Sequence, residues 1–201
     1  MTRHTMAFLA VLVLALVFWP AVSKADIINE NFDELPVALN ATNLGAFTVT
    51  SGTVDVVGGS LFGFLCNGPL SGNCVDLDGT SNQAGQITSA LLTLTPGTYV
   101  LSFDLIGSFR GVDTSTTVTL GSLYNQTFLL SSGDQTTGIV NTTIDVNTPT
   151  TVQLQFTSNT PGNIGALLDN VSLVQTPEPA TLSLLGVGLL GLMFGRRRAA
   201  K

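Results

Sequence analysis

Between Asp26 and Thr176 the groups able to do chemistry are two thiols, Cys66 and Cys74, twelve acidic side chains and a single cation, Arg110. The one histidine of the 201-residue chain, His4, precedes this segment, which therefore has no imidazole base, no Ser-His-Asp relay and no histidine metal ligand. It has no lysine either. A glycosidase would need two carboxylates set across a bond. Asp76 and Asp78 lie on one side of a short extended stretch, and Asp104 and Asp113 fall in strand or turn settings, but no spacing marks a pair. Each is read as capping a turn or facing solvent, and no catalytic residue is assigned.

The elements that would position these groups begin with the two ends of the chain. Arg3 and His4 precede an apolar run from Met6 to Trp19, Pro20 breaks it, and Ser23-Lys24-Ala25 places small residues where a signal peptidase reads; residues 1–25 are expected to be a cleaved signal peptide. At the other end Pro177-Glu178-Pro179 is followed by an apolar run, 180–195, and then by Arg196, Arg197 and Arg198 in a basic end, 196–201. A helix from Pro179 to Gly195 would be roughly 25 Å long, at the short limit for a hydrocarbon core of about 30 Å, with the arginines snorkelling on the cytoplasmic side. Gly186, Gly188 and Gly191 spell a dinucleotide-type G-x-G-x-x-G, but no strand precedes them and they fall in this apolar segment, so no nucleotide is expected.

This order of Pro-Glu-Pro, apolar segment and arginine cluster resembles the PEP-CTERM sorting signal of Gram-negative bacteria. The resemblance implies export across the inner membrane and a precursor held in the membrane by its tail. It also implies an exosortase-type enzyme that removes residues 177–201, and delivery to the cell surface or extracellular matrix. In such an oxidising setting Cys66 and Cys74, with seven residues between them, are read as a disulfide. A redox-active thiol would need basic neighbours to lower its pKa.

Removing both ends changes the charge. Arg3, Lys24, Arg196, Arg197, Arg198 and Lys201 leave with them, so residues 26–176 keep one basic residue against twelve acidic ones, a net charge of −11 where the whole chain has −6. Such a surface repels phosphate backbones, which excludes nucleic acid. A cation or a neutral polyhydroxylated partner suits it, as does a solvated acidic surface with no partner.

Residues 26–176 read as one domain, large enough for a proper core. Tyr99, Leu101, Phe103 and Leu105 alternate with Val100, Ser102 and Asp104, and Val152, Leu154 and Phe156 alternate with Gln153 and Gln155. Runs at Phe47–Thr50, Thr53–Val57, Gln86–Leu94, Thr116–Leu120, Tyr124–Leu130, Gly138–Val146 and Ala166–Val174 bring the expected strands to about nine. Turn residues fall between them, at Gly58-Gly59, Asn67-Gly68-Pro69, Pro96-Gly97, Ser132-Gly133-Asp134 and Pro161-Gly162. The fold class is all-β, an antiparallel sandwich, with Val174–Pro177 as a short hinge to the tail. Strand alternation places Asp169 on the face of Val171 and Leu173, where a carboxylate needs a partner: calcium or backbone N–H groups.

Leu167-Leu168-Asp169-Asn170-Val171-Ser172-Leu173 resembles the closing strand of galactose-binding-like jelly rolls, a fold shared by many carbohydrate-binding modules. Asn29–Asp33, Cys74–Gly79 and Thr98–Leu105 occur in the order such domains use. The resemblance implies a structural calcium held by Asp33 and Asp169, with Glu30 or Asn31 adding oxygens. It also implies exposed aromatic and polar loop residues for a glycan. Trp19 is lost with the signal and Tyr99 is on the core face, which leaves Phe109, Arg110 and Tyr124 as the ligand-binding candidates. Asn40, Asn125, Asn141 and Asn170 begin N-x-S/T sequons, which Thr-rich chains produce by chance. The function expected is a non-catalytic surface or matrix protein, a structural or adhesive component of exopolysaccharide. A calcium-dependent carbohydrate-binding module is the alternative, and a secreted glycoside hydrolase the second.

Overall fold

The structure is a computed structural model that describes residues 25–176; the expected signal peptide, the Pro-Glu-Pro motif, the apolar helix and the arginine cluster lie outside these residues. Fifteen strands and one 3-10 turn follow in order: β1 (Ala25–Glu30), β2 (Ala38–Ala41), β3 (Asn43–Leu44), β4 (Phe47–Ser51), β5 (Val54–Val57), the turn (Gly63–Leu65), β6 (Cys74–Asp76), β7 (Gln86–Ser89), β8 (Leu92–Leu94), β9 (Gly97–Ile106), β10 (Thr114–Leu120), β11 (Tyr124–Leu130), β12 (Gly138–Val146), β13 (Thr150–Val152), β14 (Leu154–Ser158) and β15 (Leu167–Gln175).

One seven-stranded sheet runs β12-β9-β15-β6-β5-β2, and β1 shares an edge of β15 with β6. A six-stranded sheet runs β11-β10-β14-β7-β4-β3, and β8 pairs with β13. All of these pairings are antiparallel. The period-two alternation is the cause: in β9, Tyr99, Leu101, Phe103 and Leu105 are buried while Val100, Ser102 and Asp104 are partly exposed.

Between the sheets the core is aromatic at its centre. Phe156 meets Phe47 at 5.9 Å and Phe103 at 5.2 Å, and Phe103 meets Phe128 at 5.8 Å, each edge to face, the arrangement the ring quadrupole favours. Tyr99 is in this core, 1 % exposed, its hydroxyl donating to the Thr95 carbonyl. The described residues close this core by themselves.

A second, smaller core lies on the outer face of the seven-stranded sheet. Val57, Cys74, Ile106 and Leu167 project outward there, and the chain from Gly58 to Asn73 folds over them, pressing Leu65, Cys66 and Leu70 down. Gly58 and Leu61 exchange two 2.9 Å main-chain hydrogen bonds at the start of this roof. The expected disulfide, Cys66–Cys74, ties the roof to β6. The Cys66→Ser/Cys74→Ser variant is expected to lose about 2–3 kcal/mol in chemical denaturation. A loss below about 0.5 kcal/mol would show that packing alone holds the roof.

Four sequence expectations are corrected. Gln86–Leu94 divides after Ser89 into β7 and β8, which join different sheets, and Val152–Phe156 divides at Gln153. The Ser89 hydroxyl accepts from Leu154 N, and the Ser89 carbonyl accepts from the Gln153 side chain, which fixes both breaks at one point. Val174 and Gln175 belong to β15, and Thr176 N donates to the Thr98 carbonyl, so these residues are not a hinge. Asp169 is on the outer face with Leu167. Asn170 has φ 52° in a register shift of β15 against β9, and this breaks the alternation that was extrapolated back from Val171.

Candidate functional site

Acidic side chains gather on the outer face beside the roof. In register, Asp55 faces Asp76 across β5 and β6, and Asp104 faces Asp169 across β9 and β15, two like-charge pairs that disfavour the sheet unless neighbours compensate. The compensation differs for each. Asp55 accepts from Asn40 N at 2.7 Å, Thr80 N at 3.2 Å and the Thr80 hydroxyl at 2.7 Å.

Asp76 is 2 % exposed. Its Oδ1 accepts from Gly165 N at 2.9 Å and Asp78 N at 3.1 Å, and its Oδ2 pairs with the Arg110 guanidinium. Burial nevertheless pushes its carboxyl up to about 7, outweighing Arg110 and the two N–H groups. Gly165 is required for this approach: a Cβ there would lie 2.6 Å from Asp76 Oδ1. Asp78 is fully buried, and burial raises it as well. The nearby Ser158 hydroxyl and Gly85 N–H offset part of that, but Gly85 N donates to the Leu77 carbonyl and neither Asp78 oxygen completes a hydrogen bond.

Asp33 and Asp169, the expected calcium pair, come to one region. Ser71 N donates to Asp169 Oδ2 at 3.2 Å and Asn73 N to Asp33 Oδ1 at 2.8 Å, so one short stretch of roof satisfies both. Asp169 is fully buried and its carboxyl is raised to about 6, first by burial and then by the charges of Asp33 and Asp104. Its Oδ1 accepts from Asn170 N. Glu30 does not join them: its two oxygens accept from Phe32 N and Ala46 N. Asn31 bonds Asp33 on both its side-chain atoms. The carboxylate oxygens are thus engaged by N–H donors, and among the described residues no group of three or more acidic, His or Cys side chains is placed to hold a metal ion.

The expected ligand-binding residues are dispersed. Phe109 packs on the second core, Arg110 is committed to Asp76, and Tyr124 is half-buried against the main core with its hydroxyl donating to Gln126. The exposed aromatics are instead Phe62 and Phe64, 47 % and 62 % exposed at the crest of the roof. The Gly-rich stretch around Phe62-Gly63-Phe64, too short to contribute an inward face, is the signal that sequence reading passed over. Two shallow depressions, beside Leu91 and Gln155 and beside Asp113 and Leu129, do not reach Asp76 or Asp78.

The fold defined by this geometry is an antiparallel β-sandwich, and the solved structures that resemble it include adhesin domains, carbohydrate-binding modules and an exo-beta-1,3-galactanase from Phanerochaete chrysosporium. The K3 cleaved adhesin domain of Lys-gingipain from Porphyromonas gingivalis shares 15% identity at a TM-score of 0.47, over 77% of this chain and 100% of that one. The CBM22-1 xylan-binding domain from Paenibacillus barcinonensis shares 13% identity at 0.47, over 79% and 99%. A family 35 carbohydrate binding module from Clostridium thermocellum shares 11% at 0.41, over 75% and 97%. Residues 175–198 match the model of the PEP-CTERM protein-sorting motif, so the chain carries that sorting signal. No curated protein matches the chain. Among the described residues no helix is long and apolar enough to cross a membrane; the expected sorting helix lies outside them.

Proposed function

We propose that this protein is an exported, non-catalytic β-sandwich, sorted by its carboxyl-terminal signal to the cell surface or extracellular matrix, where it is a structural or adhesive component of exopolysaccharide. The observation that carries this reading is the sorting-motif match over residues 175–198. Signal peptidase and an exosortase-type enzyme are its processing partners, and the membrane holds the precursor through the tail until the tail is removed. The carboxylates support a role without catalysis. Asp76 and Asp78, which share one short stretch of chain, are buried in the protein, whereas a hydrolase needs its acid pair open to substrate. This reading does not require calcium, since the Asp33, Asp169 and Glu30 oxygens have N–H partners.

The test uses the full chain in a bacterium that processes such tails. The wild type should leave the membrane fraction as a form lacking residues 177–201, measured by mass spectrometry. The variant with Pro177, Glu178 and Pro179 replaced by alanine should stay in the membrane as the longer form. Equal release of both would overturn the sorting reading. For calcium, the expected result is that a chelator leaves the melting temperature of the 26–176 domain unchanged; a rise of several degrees on adding calcium would restore the metal.

A further inference from the structure

We propose that Phe62 and Phe64 form the contact surface for an uncharged polysaccharide, held outward by the disulfide-bound roof. This proposal rests on the exopolysaccharide reading and gives that reading a site. Among the described residues the large exposed apolar side chains are mostly aliphatic and scattered; Phe62 and Phe64 are the two aromatic ones, and they are adjacent. Their ring centroids are 6.4 Å apart and their planes cross at 84°, an edge-to-face pair in which both residues stay exposed. The face of a phenyl ring carries the negative side of its quadrupole, which suits the polarised C–H groups on one side of a pyranose.

The backbone favours this outward placement at a cost. Phe62 has φ 55°, in the left-handed region, where a bulky side chain is strained and glycine is not. The surrounding hydrogen bonds enforce it: Leu65 N donates to the Phe62 carbonyl at 2.9 Å and Cys66 N to the Gly63 carbonyl at 3.2 Å. Leu65 and Cys66, next in the chain, are anchored beneath by the second core and the disulfide. A turn whose backbone is fixed before binding loses little main-chain entropy on contact with a partner.

Charge selects the class of partner. The mature segment carries −11 and its one cation, Arg110, is engaged with Asp76, so uronate polymers, phosphate polymers and anionic lipid surfaces are repelled. An uncharged glycan is not. Polar groups lie in the same stretch of roof: Asn67 is exposed and donates to the Phe64 carbonyl, and the Gln135 side chain lies against Gly68.

The experiment measures retention of the 26–176 domain, whose core is closed by its own residues, on insoluble β-glucan, xylan and galactan, on an alginate gel, and on phosphatidylglycerol vesicles. Wild type should bind at least one uncharged polymer saturably. Phe62→Gly/Phe64→Ala, in which glycine keeps the left-handed turn and relieves its strain, should bind it at least about tenfold more weakly at a melting temperature no lower than that of the wild type. Leu91→Ala/Leu129→Ala, which removes exposed apolar surface elsewhere, should bind as wild type. If Phe64→Ala alone, which leaves the turn untouched, and the double variant both bind as wild type, the Phe62–Phe64 site is overturned while the exopolysaccharide reading stands. If wild type binds no uncharged polymer, that reading fails with it. Retention on vesicles or alginate alone would also overturn the proposal.

Discussion

Replacing Arg110 with alanine destabilises the sandwich by about 3 kcal/mol at pH 8.5 and by less than about 1 kcal/mol at pH 5. At pH 8.5 the Asp76 carboxyl, raised to about 7, is ionised, 2 % exposed and paired with this guanidinium. Removing the cation leaves a buried anion with two N–H donors, or forces it to keep a proton against the solution pH. Asp78, buried beside it without a hydrogen bond, loses the same favourable charge. At pH 5 Asp76 is already protonated in the wild type, the ion pair is absent, and only the packing of the arginine stem is lost.

Two details make this measurable. The mature domain has no tryptophan, since Trp19 leaves with the signal, so unfolding is followed by circular dichroism or calorimetry. Adding Asp76→Asn to Arg110→Ala removes the stranded charge while leaving an Oδ1 able to accept from Gly165 N and Asp78 N. The double variant should recover most of the loss at pH 8.5. A single-variant loss that does not depend on pH would show that Arg110 acts by packing and not as the counter-ion of Asp76.

The legible parts of this chain were those with long periodic signals. β9, with four inward residues at period two, and β12, nine residues long, stand where the pattern put them. β2 and β3, of four and two residues, carry too little alternation to be seen; β2 joins its sheet through β5, and β3 is held only by two residue pairs with β4. The Cys66–Cys74 pairing followed from composition and compartment alone. The position of Asp169 did not, because one left-handed residue, Asn170, reverses which face the strand shows. The second core was hidden for the same kind of reason. Ile106 and Leu167 read as strand ends, and nothing local tells that Leu65 and Leu70 of a Gly-rich loop will fold back over them. Phe109 and Arg110 looked exposed because their partners, the second core and Asp76, become neighbours through that folding.

Acidification should stabilise this domain over a range in which many proteins weaken. In the folded state Asp76 keeps its proton up to about pH 7, whereas in the unfolded chain it would release it near the ordinary 3.8. Between those values the native state binds more protons than the unfolded one, so stability falls as pH rises through the window and is highest at its lower end. The displacement corresponds to at most about 4 kcal/mol. For a domain of this size that is a melting temperature higher at pH 4.5 than at pH 8 by about 10 °C. Asp78, raised by burial, works in the same direction, and neutralising part of the −11 charge relieves repulsion across the whole surface. The opposing group is Asp134, held down at about 2 by Thr136 and Thr137, but its contribution is lost only below about pH 4. Stability should therefore peak between about pH 4 and 5. Asp76→Asn, which removes the largest of these titrations, should reduce the slope, and what remains comes from Asp169, raised to about 6, and from Asp78. A wild-type melting temperature that rises from pH 4.5 to pH 8 would mean that Asp76 is ionised and well paired across the whole range.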